Sequence, residues 1–558
     1  MAESPIDRFL AGGWRGPLAA AAVALLAALP GLIGIPVLDR DEARFAQSTA
    51  QMLETGDVVS INLQDVPRFK KPVGIHWLQA VSVATVSSVE ARSVWAYRIP
   101  SLLGAMVAAA ACAWGASVFF GSTGGAVAGA LLGASLILST EGFIAKTDAA
   151  LCGSITLMMA ALARIYASSK GEAIARGGTR AVFWSGMAAS ILLKGPIGPL
   201  VAALTLLALW AWDRKAAWMQ GLGWTWGFAL ILLVIGPWAW AITVTTDGAF
   251  WTGAVLGDML SKVGSGQESH GAPPGLHALL APLLLFPGTV LLPAALVLGW
   301  RRRAETGVRF ALCWLIPAWI LFELTPTKLP HYTLPLYAAL AWLMAAALQQ
   351  PIGRLSRIGG AILGGLAGVL LAAVAVVLAT KYGGPASLGW AIACAVLLAG
   401  ATAAGVALIL LRRGTFVALG AALGLGVLGH DALAAGLAPS LQPLWVSNEV
   451  AAAMKRAGLD PRNGVTPGPI AVAGFSEPSI VFLLGTRTEL GSGEVAAAAI
   501  SEGRPAVVER KELNEFQEAL KAQEAHAAAA GEVKGVDYSK GKPLDLFLYR
   551  SLETGDQR

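Results

Sequence analysis

The sequence predicts an α-helical polytopic membrane protein that ends in a soluble α/β domain. Hydrophobic residues make up 56% of the 558 residues and charged residues only 14%, whereas soluble domains contain roughly 45–50% and about 25%. The 41 basic and 35 acidic residues are unevenly spread, because residues 439–558 alone hold 13 and 16 of them. This composition excludes a disordered chain and an all-soluble enzyme, and it predicts a membrane domain over 1–438 and a soluble domain over 439–558.

Thirteen apolar runs lie within the predicted membrane domain, each near the ~20 residues that cross a ~30 Å hydrocarbon core. They are 16–36, 98–118, 122–140, 148–167, 179–193, 195–212, 222–243, 276–299, 308–323, 331–348, 358–380, 388–411 and 415–437. The first run is too long for a signal peptide and is expected to stay as an anchor. Residues 73–90 are also apolar but contain His76 and Gln79, so we expect a helix that lies in the membrane interface.

Basic residues in the loops predict the orientation. With thirteen spans, the loops that carry Arg164, Lys170, Arg176, Arg180, Arg214, Lys215, Arg301, Arg302, Arg303, Arg309, Arg354, Arg357, Arg412 and Arg413 all fall on one side. Such loops are typically cytoplasmic. The loops at 37–97 and 244–275 and the soluble domain are therefore expected on the far side of the membrane. Because the positive charge belongs to these loops, no nucleic-acid partner is expected.

The soluble domain has the pattern of alternating strands and helices. PIAVAGF, SIVFLLG, RPAVVER and DLFLYR predict short buried strands, and KELNEFQEALKAQEAHAAAA predicts an amphipathic helix. No GxGxxG or P-loop is present, so no nucleotide is assigned. The four cysteines lie in apolar stretches without CxxC spacing, which predicts buried thiols and no zinc ribbon or disulfide framework.

Charged residues that interrupt the apolar pattern gather in the far-side loops. Asp41, with Glu42 and Arg44 beside it, follows the first span directly, where a carboxylate is costly unless it is paired or functional. Asp41 is also a candidate helix cap. Asp148 opens a span just after Lys146, and Lys194 interrupts two apolar runs. Two further clusters contain Asp258, Lys262, Glu268 and His270, and Glu323, Lys328, His331 and Tyr332.

This arrangement suits transfer of a group from an anionic, membrane-borne donor. Lysines can hold a lipid phosphate and stabilise the charge that develops on it as it leaves. A carboxylate can accept a proton from an attacking hydroxyl, whereas an attacking phosphate oxygen needs little base catalysis. A transporter is the competing hypothesis, because charges within a membrane also mark ion pathways. Against it, the charges gather at one surface and no internal repeat is visible.

Seven sequence blocks, taken in order, resemble those of the integral membrane GT-C glycosyltransferases. DEARFAQ with the following TGD, KPVGIHW, RIPS, KTDAAL, LLKGPIG, SGQESHGAPPG and TKLPHYTLPLY are similar to the aminoarabinose-transferase branch that modifies lipid A, which is related to protein O-mannosyltransferases. The resemblance covers roughly residues 30–345. It implies a GT-C fold, a polyprenyl-phosphate-linked sugar donor, and inverting transfer to lipid A or lipopolysaccharide. It also implies a bacterial inner membrane with the transfer site, the loops at 37–97 and 244–275 and the C-terminal domain on the periplasmic side.

The resemblance also implies roles for single residues. Asp41 and Asp148 match the two aspartates of the catalytic site, and Lys71 matches the lysine that holds the donor phosphate. Further matches to substrate-binding cavity residues are Lys194, His270, Lys328 and Tyr332, with Glu42 and Arg44 as supports for Asp41.

Lys70 departs from the pattern, because this branch commonly has an acidic residue just before KP. The acidic residue could help a nearby histidine bind a divalent cation. No cofactor is therefore expected to be required, and Glu268 with His270 is only a weak candidate for a divalent cation. The additional cation would suit an acidic sugar such as a uronic acid. Alternatives that stay open are a protein or another polyprenyl lipid as acceptor, and a sugar-lipid transporter.

Overall fold

The protein is mostly helical and is an integral membrane protein. The computed structural model describes residues 13–174, 177–260, 271–411, 415–460 and 468–552. Within these ranges nine helices are long and apolar enough to cross a membrane, or ten if one sharply bent pair counts as a single span. This criterion does not reach the predicted thirteen spans. It counts the 40-residue helix that is broken at Gly121 only once, and it leaves out the shorter apolar helix Ile197–Asp213.

The first half of the chain supplies the helices that carry the candidate site. They are α1 (Arg15–Gly34), α2 (Asp41–Thr55), α3 (Gly74–Val86), α4 (Val94–Gly133), α5 (Leu136–Gly142), α6 (Asp148–Ser169), α7 (Gly177–Lys194), α8 (Ile197–Asp213) and α9 (Trp224–Thr245). A two-stranded ribbon of β1 (Asn62–Leu63) and β2 (Val66–Pro67) lies between α2 and α3. At 13 residues, α3 spans about 20 Å, too short to cross a ~30 Å core.

Helix α4 is two helices joined at Gly121. This glycine has φ 74°, a left-handed conformation that breaks the helix. Residues 122–133 then fold back along 109–117: a Cβ at Gly125 would lie 2.5 Å from the Ala113 oxygen, and one at Gly129 would lie 2.6 Å from the Ala109 oxygen. The 40-residue element is therefore an antiparallel pair packed through glycines.

The second half of the membrane region continues with α10 (Leu276–Leu284), α11 (Leu292–Arg301), α12 (Thr306–Leu324), α13 (Tyr337–Leu348), α14 (Arg354–Tyr382), α15 (Pro385–Leu410) and α16 (Thr415–Asp431). The predicted span 276–299 is bent by 117° between α10 and the segment that begins at Gly288. Pro282 lies in α10 and Pro287 lies at the bend, and each removes a backbone donor from the helix.

The C-terminal residues form a mixed five-stranded sheet with helices. Its strands are β3 (Ala471–Ala473), β4 (Glu489–Gly491), β5 (Ala506–Glu509), β6 (Ala527–Asp537) and β7 (Lys542–Ser551), in the order β4-β3-β5-β7-β6. Strands β3, β4 and β5 are parallel, whereas β7 runs antiparallel to β5 and β6. The helices are α17 (Val446–Arg456), α18 (Pro478–Leu484), α19 (Gly493–Ser501) and α20 (Leu513–Ala522).

One predicted C-terminal element was wrong, and another was predicted to be too long. SIVFLLG is the helix α18, which begins at Pro478, a residue whose fixed φ suits the first turn of a helix. The predicted helix over KELNEFQEALKAQEAHAAAA ends at Ala522, and its alanine-rich end belongs to β6. Pairing along β7 outweighs the helix propensity of alanine there. The four cysteines are buried free thiols, as predicted.

Candidate active site

Asp41 opens α2 at the membrane surface, in a setting rich in positive charge. Its side chain is 46% exposed and lies 3.7 Å from the Arg44 guanidinium. Burial raises the pKa of Asp41, but the positive charges of Lys71, Lys146, Arg68 and Arg44 outweigh burial and hold that pKa below its usual range. The carboxylate therefore stays ionised in the neutral range and stays accessible.

Glu42 fixes the start of α2 in place. Its two oxygens accept from the Nε and Nη2 atoms of Arg98 at 2.8 and 2.7 Å. They also accept from the backbone N–H groups of Leu38 and Ala145, both at 2.8 Å. Arg98 also donates to three carbonyls at the end of the first span, those of Leu32, Ile35 and Pro36. Glu42 thus ties the first loop to the turn before Asp148, and both of its oxygens already accept hydrogen bonds there.

Asp148 is held on both of its oxygens. Its Oδ1 lies 2.5 Å from the Lys194 ammonium at the end of α7. Its Oδ2 lies 3.7 Å from Lys146 Nζ and 3.6 Å from His331 Nε2. Helix α6 positions this carboxylate, because Asp148 is its first residue. Asp148 and Lys194, which the sequence singled out separately, therefore meet across two different helices.

Lys194 also contacts an aromatic ring. Its ammonium lies 5.2 Å from the ring centroid of Tyr332, a cation–π distance. The Tyr332 ring lies edge-on to His331, with centroids 5.3 Å apart. The TKLPHY block and the LLKGPIG block thus meet beside Asp148, at the N-terminal end of α6.

Lys71 connects the two carboxylates. It interacts electrostatically with both Asp41 and Asp148, and its ammonium lies 5.1 Å from the ring centroid of Phe45 in α2. Lys70 and Lys71 line a small pocket together with Phe45, Ile61, Arg68 and His76. Burial and the charges of Arg68 and Lys71 lower the pKa of His76 to about 3, so this imidazole is neutral and is held by the Thr49 hydroxyl at 2.8 Å.

One described residue that was predicted for the site, Lys328, does not join this group. Lys328 is buried and donates to the carbonyls of Ala272 and Thr325 at 2.8 and 2.7 Å, so it holds the backbone of its own loop. Glu268 and His270 lie outside the described residues.

Residues that sequence reasoning left unassigned complete the centre of the site. Lys146 Nζ lies 2.9 Å from Glu141 Oε2 and 3.3 Å from His331 Nδ1. Arg98 was likewise left unassigned. A signal existed for three of them, since Lys146, His331 and Arg98 belong to the KTDAAL, TKLPHY and RIPS blocks. Glu141 had no such signal, because nothing in its local sequence separates it from a helix-end carboxylate.

Among the described residues, one group has the chemistry of a metal site. Ligand atoms of Glu141, Asp148 and His331 all lie within 4.8 Å of one another. Carboxylate oxygens and an imidazole nitrogen are ligands that zinc and similar ions accept. The ammonium of Lys146, however, contacts all three side chains.

The sequence matches no protein-family model but is similar to curated bacterial transferases. It is 30% identical over 344 residues to the undecaprenyl phosphate-alpha-4-amino-4-deoxy-L-arabinose arabinosyl transferase of Pseudomonas paraeruginosa, a match of 60% of this chain and 60% of the relative. The enzyme of the same name from Yersinia pestis is 28% identical over 310 residues, or 55% and 54% of the two chains. The chain thus spans between half and two thirds of the length of the curated relatives it matches.

The fold is similar to that of solved GT-C glycosyltransferases. ArnT from Cupriavidus metallidurans, solved with undecaprenyl phosphate, superposes with a TM-score of 0.74 at 19% identity over 95% of this chain and 97% of the other. The archaeal oligosaccharyltransferase AglB from Archaeoglobus fulgidus gives 0.53 at 12% identity over 100% and 75%. The predicted GT-C fold is therefore confirmed.

Proposed function

We propose that the protein is a glycosyltransferase that moves a sugar from a polyprenyl-phosphate-linked donor to lipid A or lipopolysaccharide. One observation carries this proposal. Two carboxylates, Asp41 and Asp148, lie among the ammonium groups of Lys71, Lys146 and Lys194 where the helices reach the membrane surface. The printed names of the curated relatives support the donor class, since they are undecaprenyl phosphate-dependent transferases.

The lysines suit the donor phosphate. A polyprenyl phosphate sugar carries one negative charge, and breaking the sugar–oxygen bond leaves a second charge on the departing phosphate. Lys71 and Lys194 stabilise that growing charge, and such stabilisation lowers the barrier because it is stronger in the transition state than in the ground state. Asp148 holds Lys194 in position at 2.5 Å, and Tyr332 supports the same ammonium from its ring face.

Asp41 suits the acceptor. It is the more exposed of the two carboxylates, and its pKa lies below the usual range. A carboxylate of low pKa is a weak base, so Asp41 orients an acceptor that needs little deprotonation, such as a lipid phosphate, with Arg44 beside it. Attack from the face opposite the leaving phosphate inverts the anomeric carbon.

The topology that fits this reaction has thirteen spans. This number is reached when the two parts of α4 count as two spans and α7 and α8 count as one span each. The bent pair that begins with α10 then counts as a single span. Helix α6 then runs from the site to the opposite face, where Asp213 contacts Lys170 and Arg309 at 2.7 and 2.6 Å. Basic loops on that face indicate the cytoplasm. The site and a soluble domain over 439–558 are thus periplasmic in a bacterial inner membrane, with the catalytic membrane domain over 1–438.

Transfer in proteoliposomes tests the proposal. Purified protein is mixed with lipid A and polyprenyl phosphate donors that carry different radiolabelled sugars. We expect Asp41→Asn and Lys71→Ala to lower transfer at least ~100-fold, in line with removal of a group that acts in the transition state. Lys215→Ala, on the opposite face, should leave transfer unchanged. Labelled product on a protein or another polyprenyl lipid would change the acceptor, and donor movement across the bilayer without any product would indicate a transporter.

A further inference from the structure

Lys146 is buried at the centre of a group of three metal-ligand side chains. It lies in the short turn between α5 and α6 and is 7% exposed. Its ammonium lies 2.9 Å from Glu141 Oε2, 3.3 Å from His331 Nδ1 and 3.7 Å from Asp148 Oδ2. One ammonium thus faces a donor atom of each residue of the group.

The ammonium and a divalent cation compete for the same space. Zinc and similar ions bind carboxylate oxygen and imidazole nitrogen at about 2.0–2.2 Å, so an ion shared by Glu141, Asp148 and His331 would lie within the contact distance of Lys146 Nζ. Two cations in so small a buried space repel strongly. These residues therefore do not fit a divalent ion while Lys146 keeps its position.

The charges are balanced without a metal. Glu141 and Asp148 supply two carboxylates, and Lys146 and Lys194 supply two ammonium groups in direct contact with them. Removal of one partner of a buried pair leaves a charge without compensation, which is strongly unfavourable. Loss of the Lys146 charge alone would leave the group in need of another cation.

Lys146 also determines which nitrogen of His331 carries the proton. An ammonium can only donate, so Nδ1 of His331 accepts from Lys146, and the proton of the neutral ring lies on Nε2. Nε2 lies 3.6 Å from Asp148 Oδ2. The ring therefore directs an N–H group at the same carboxylate oxygen that Lys146 approaches, which leaves Oδ1 for Lys194.

We propose that Lys146 is a built-in cation: it holds Asp148 and His331 as a divalent metal would, and transfer needs no metal ion at this group. Lys146 is a positioning residue, because it acts through Asp148 on Lys194, the ammonium assigned to the donor phosphate. This inference rests on the proposed function for its effect on transfer, whereas its consequence for metal binding follows from the geometry alone.

Zinc binding by purified protein in detergent is the first test. Wild type and His331→Ala should contain the same amount of zinc, because wild type binds no zinc through His331. Lys146→Ala should gain one zinc ion per chain, and this gain should disappear in the double variant with His331→Ala. Lys146→Arg keeps the positive charge and should gain none. Wild-type zinc that depends on His331 would overturn the proposal, as would a folded Lys146→Ala variant that binds no additional zinc.

Transfer provides the second test. Lys146→Ala should lower transfer about 10–100-fold, the usual effect of removing a group that orients a ligand, and zinc should restore part of it. Zinc should restore nothing in the double variant with His331→Ala. Full transfer by metal-free Lys146→Ala would overturn the positioning role. If wild type transfers no sugar from any donor, the proposed function fails, and the zinc measurements still decide the inference.

Discussion

Cationic side chains dominate the space beside Asp41. The small pocket there has Arg68, Lys70 and Lys71 in its lining, and none of its described lining residues is a carboxylate. The fourth polar lining residue, His76, is neutral because its pKa is lowered to about 3. An amino sugar would bring another positive charge into this space, whereas an acidic sugar would bring a negative charge that compensates the lysines and the arginine. For the proposed reaction, the local charge predicts a preference for a donor sugar that carries a carboxylate.

Lys70→Glu should shift the preference between donor sugars. Reversing this charge removes a favourable contact with a carboxylate and creates one with an ammonium. We expect the ratio of uronic acid transfer to aminoarabinose transfer to fall on the order of 10-fold, equivalent to ~1.4 kcal/mol. The measurement is competition between the two polyprenyl phosphate donors in one vesicle preparation. Lys215→Glu makes the same charge change on the opposite face and should leave the ratio unaltered; an equal ratio for wild type and Lys70→Glu would contradict this prediction.

Local sequence was enough to identify candidate site residues whose charge interrupts an apolar stretch. Asp41, Asp148 and Lys194 each stand where a charge is costly, so their position alone indicated a partner or a function. Lys146 and His331 could not be assigned in this way, because their contact joins residues 185 positions apart. The contact of Glu42 with Arg98 spans 56 positions. Such contacts depend on how the helices pack, and no local pattern encodes them.

At the scale of the elements, small residues set the position of Asp148. Helix α6 crosses α4 so closely that a Cβ at Gly104 would lie 2.4 Å from the Cα of Ala150. A Cβ at Gly153 would lie 2.6 Å from the Gly104 oxygen. Small residues allow helix backbones to approach in this way within membranes. Because Asp148 is the first residue of α6, this crossing determines where its carboxylate lies.

Gly104→Val should therefore impair transfer. The added side chain has no room at the crossing, so α6 must move by a distance comparable to the overlap, and a shift of ~1 Å in a reacting group can cost ~100-fold in rate. We expect a transfer loss of that order, together with a lower melting temperature in detergent. Gly365→Val in α14 is the matched control, since a Cβ there meets no atom within 4 Å. Equal melting temperatures and equal transfer for the two variants would show that the crossing tolerates a side chain.

The type or length of an element was predicted wrongly where tertiary contacts outweigh the local sequence pattern. The alanine-rich end of the predicted C-terminal helix pairs with β7 along residues 527–537, and the helix propensity of alanine is too small to compete with a sheet ladder. The apolar run SIVFLLG is too short for its period to separate a strand from a helix. Long runs were more informative: the helices of the membrane region coincide with predicted apolar stretches, because crossing a bilayer requires both length and apolarity.

At the scale of the whole molecule, the C-terminal residues hold the loop that carries Asp41. The hydroxyl of Tyr538 accepts from the backbone N–H of Asp39 at 2.7 Å, and Arg40 Nη2 donates to the Ser539 oxygen at 3.0 Å. Arg40 has φ 62°, a conformation that costs free energy in a residue with a side chain. The Ser479 hydroxyl donates to Asp39 itself. These contacts stabilise the strained residue that directly precedes Asp41, and they connect the sheet to the candidate site.

Asp39 should make this connection depend on pH. Burial, together with the negative charges of Glu477 and Asp537, raises its pKa from 3.8 to about 7 despite the hydrogen bond from Ser479. The folded state therefore favours the protonated carboxyl. Its stabilisation is complete below pH ~4 and is lost as pH rises through ~7. The advantage of Asp39→Asn over wild type in melting temperature should be a few degrees larger at pH 8 than at pH 5. Asp57→Asn is the control: backbone N–H groups of Ser60 and Val59 outweigh burial and lower the pKa of Asp57, so its effect should be equal at both pH values. A constant difference between wild type and Asp39→Asn would show that Asp39 is ionised in the folded protein throughout this range.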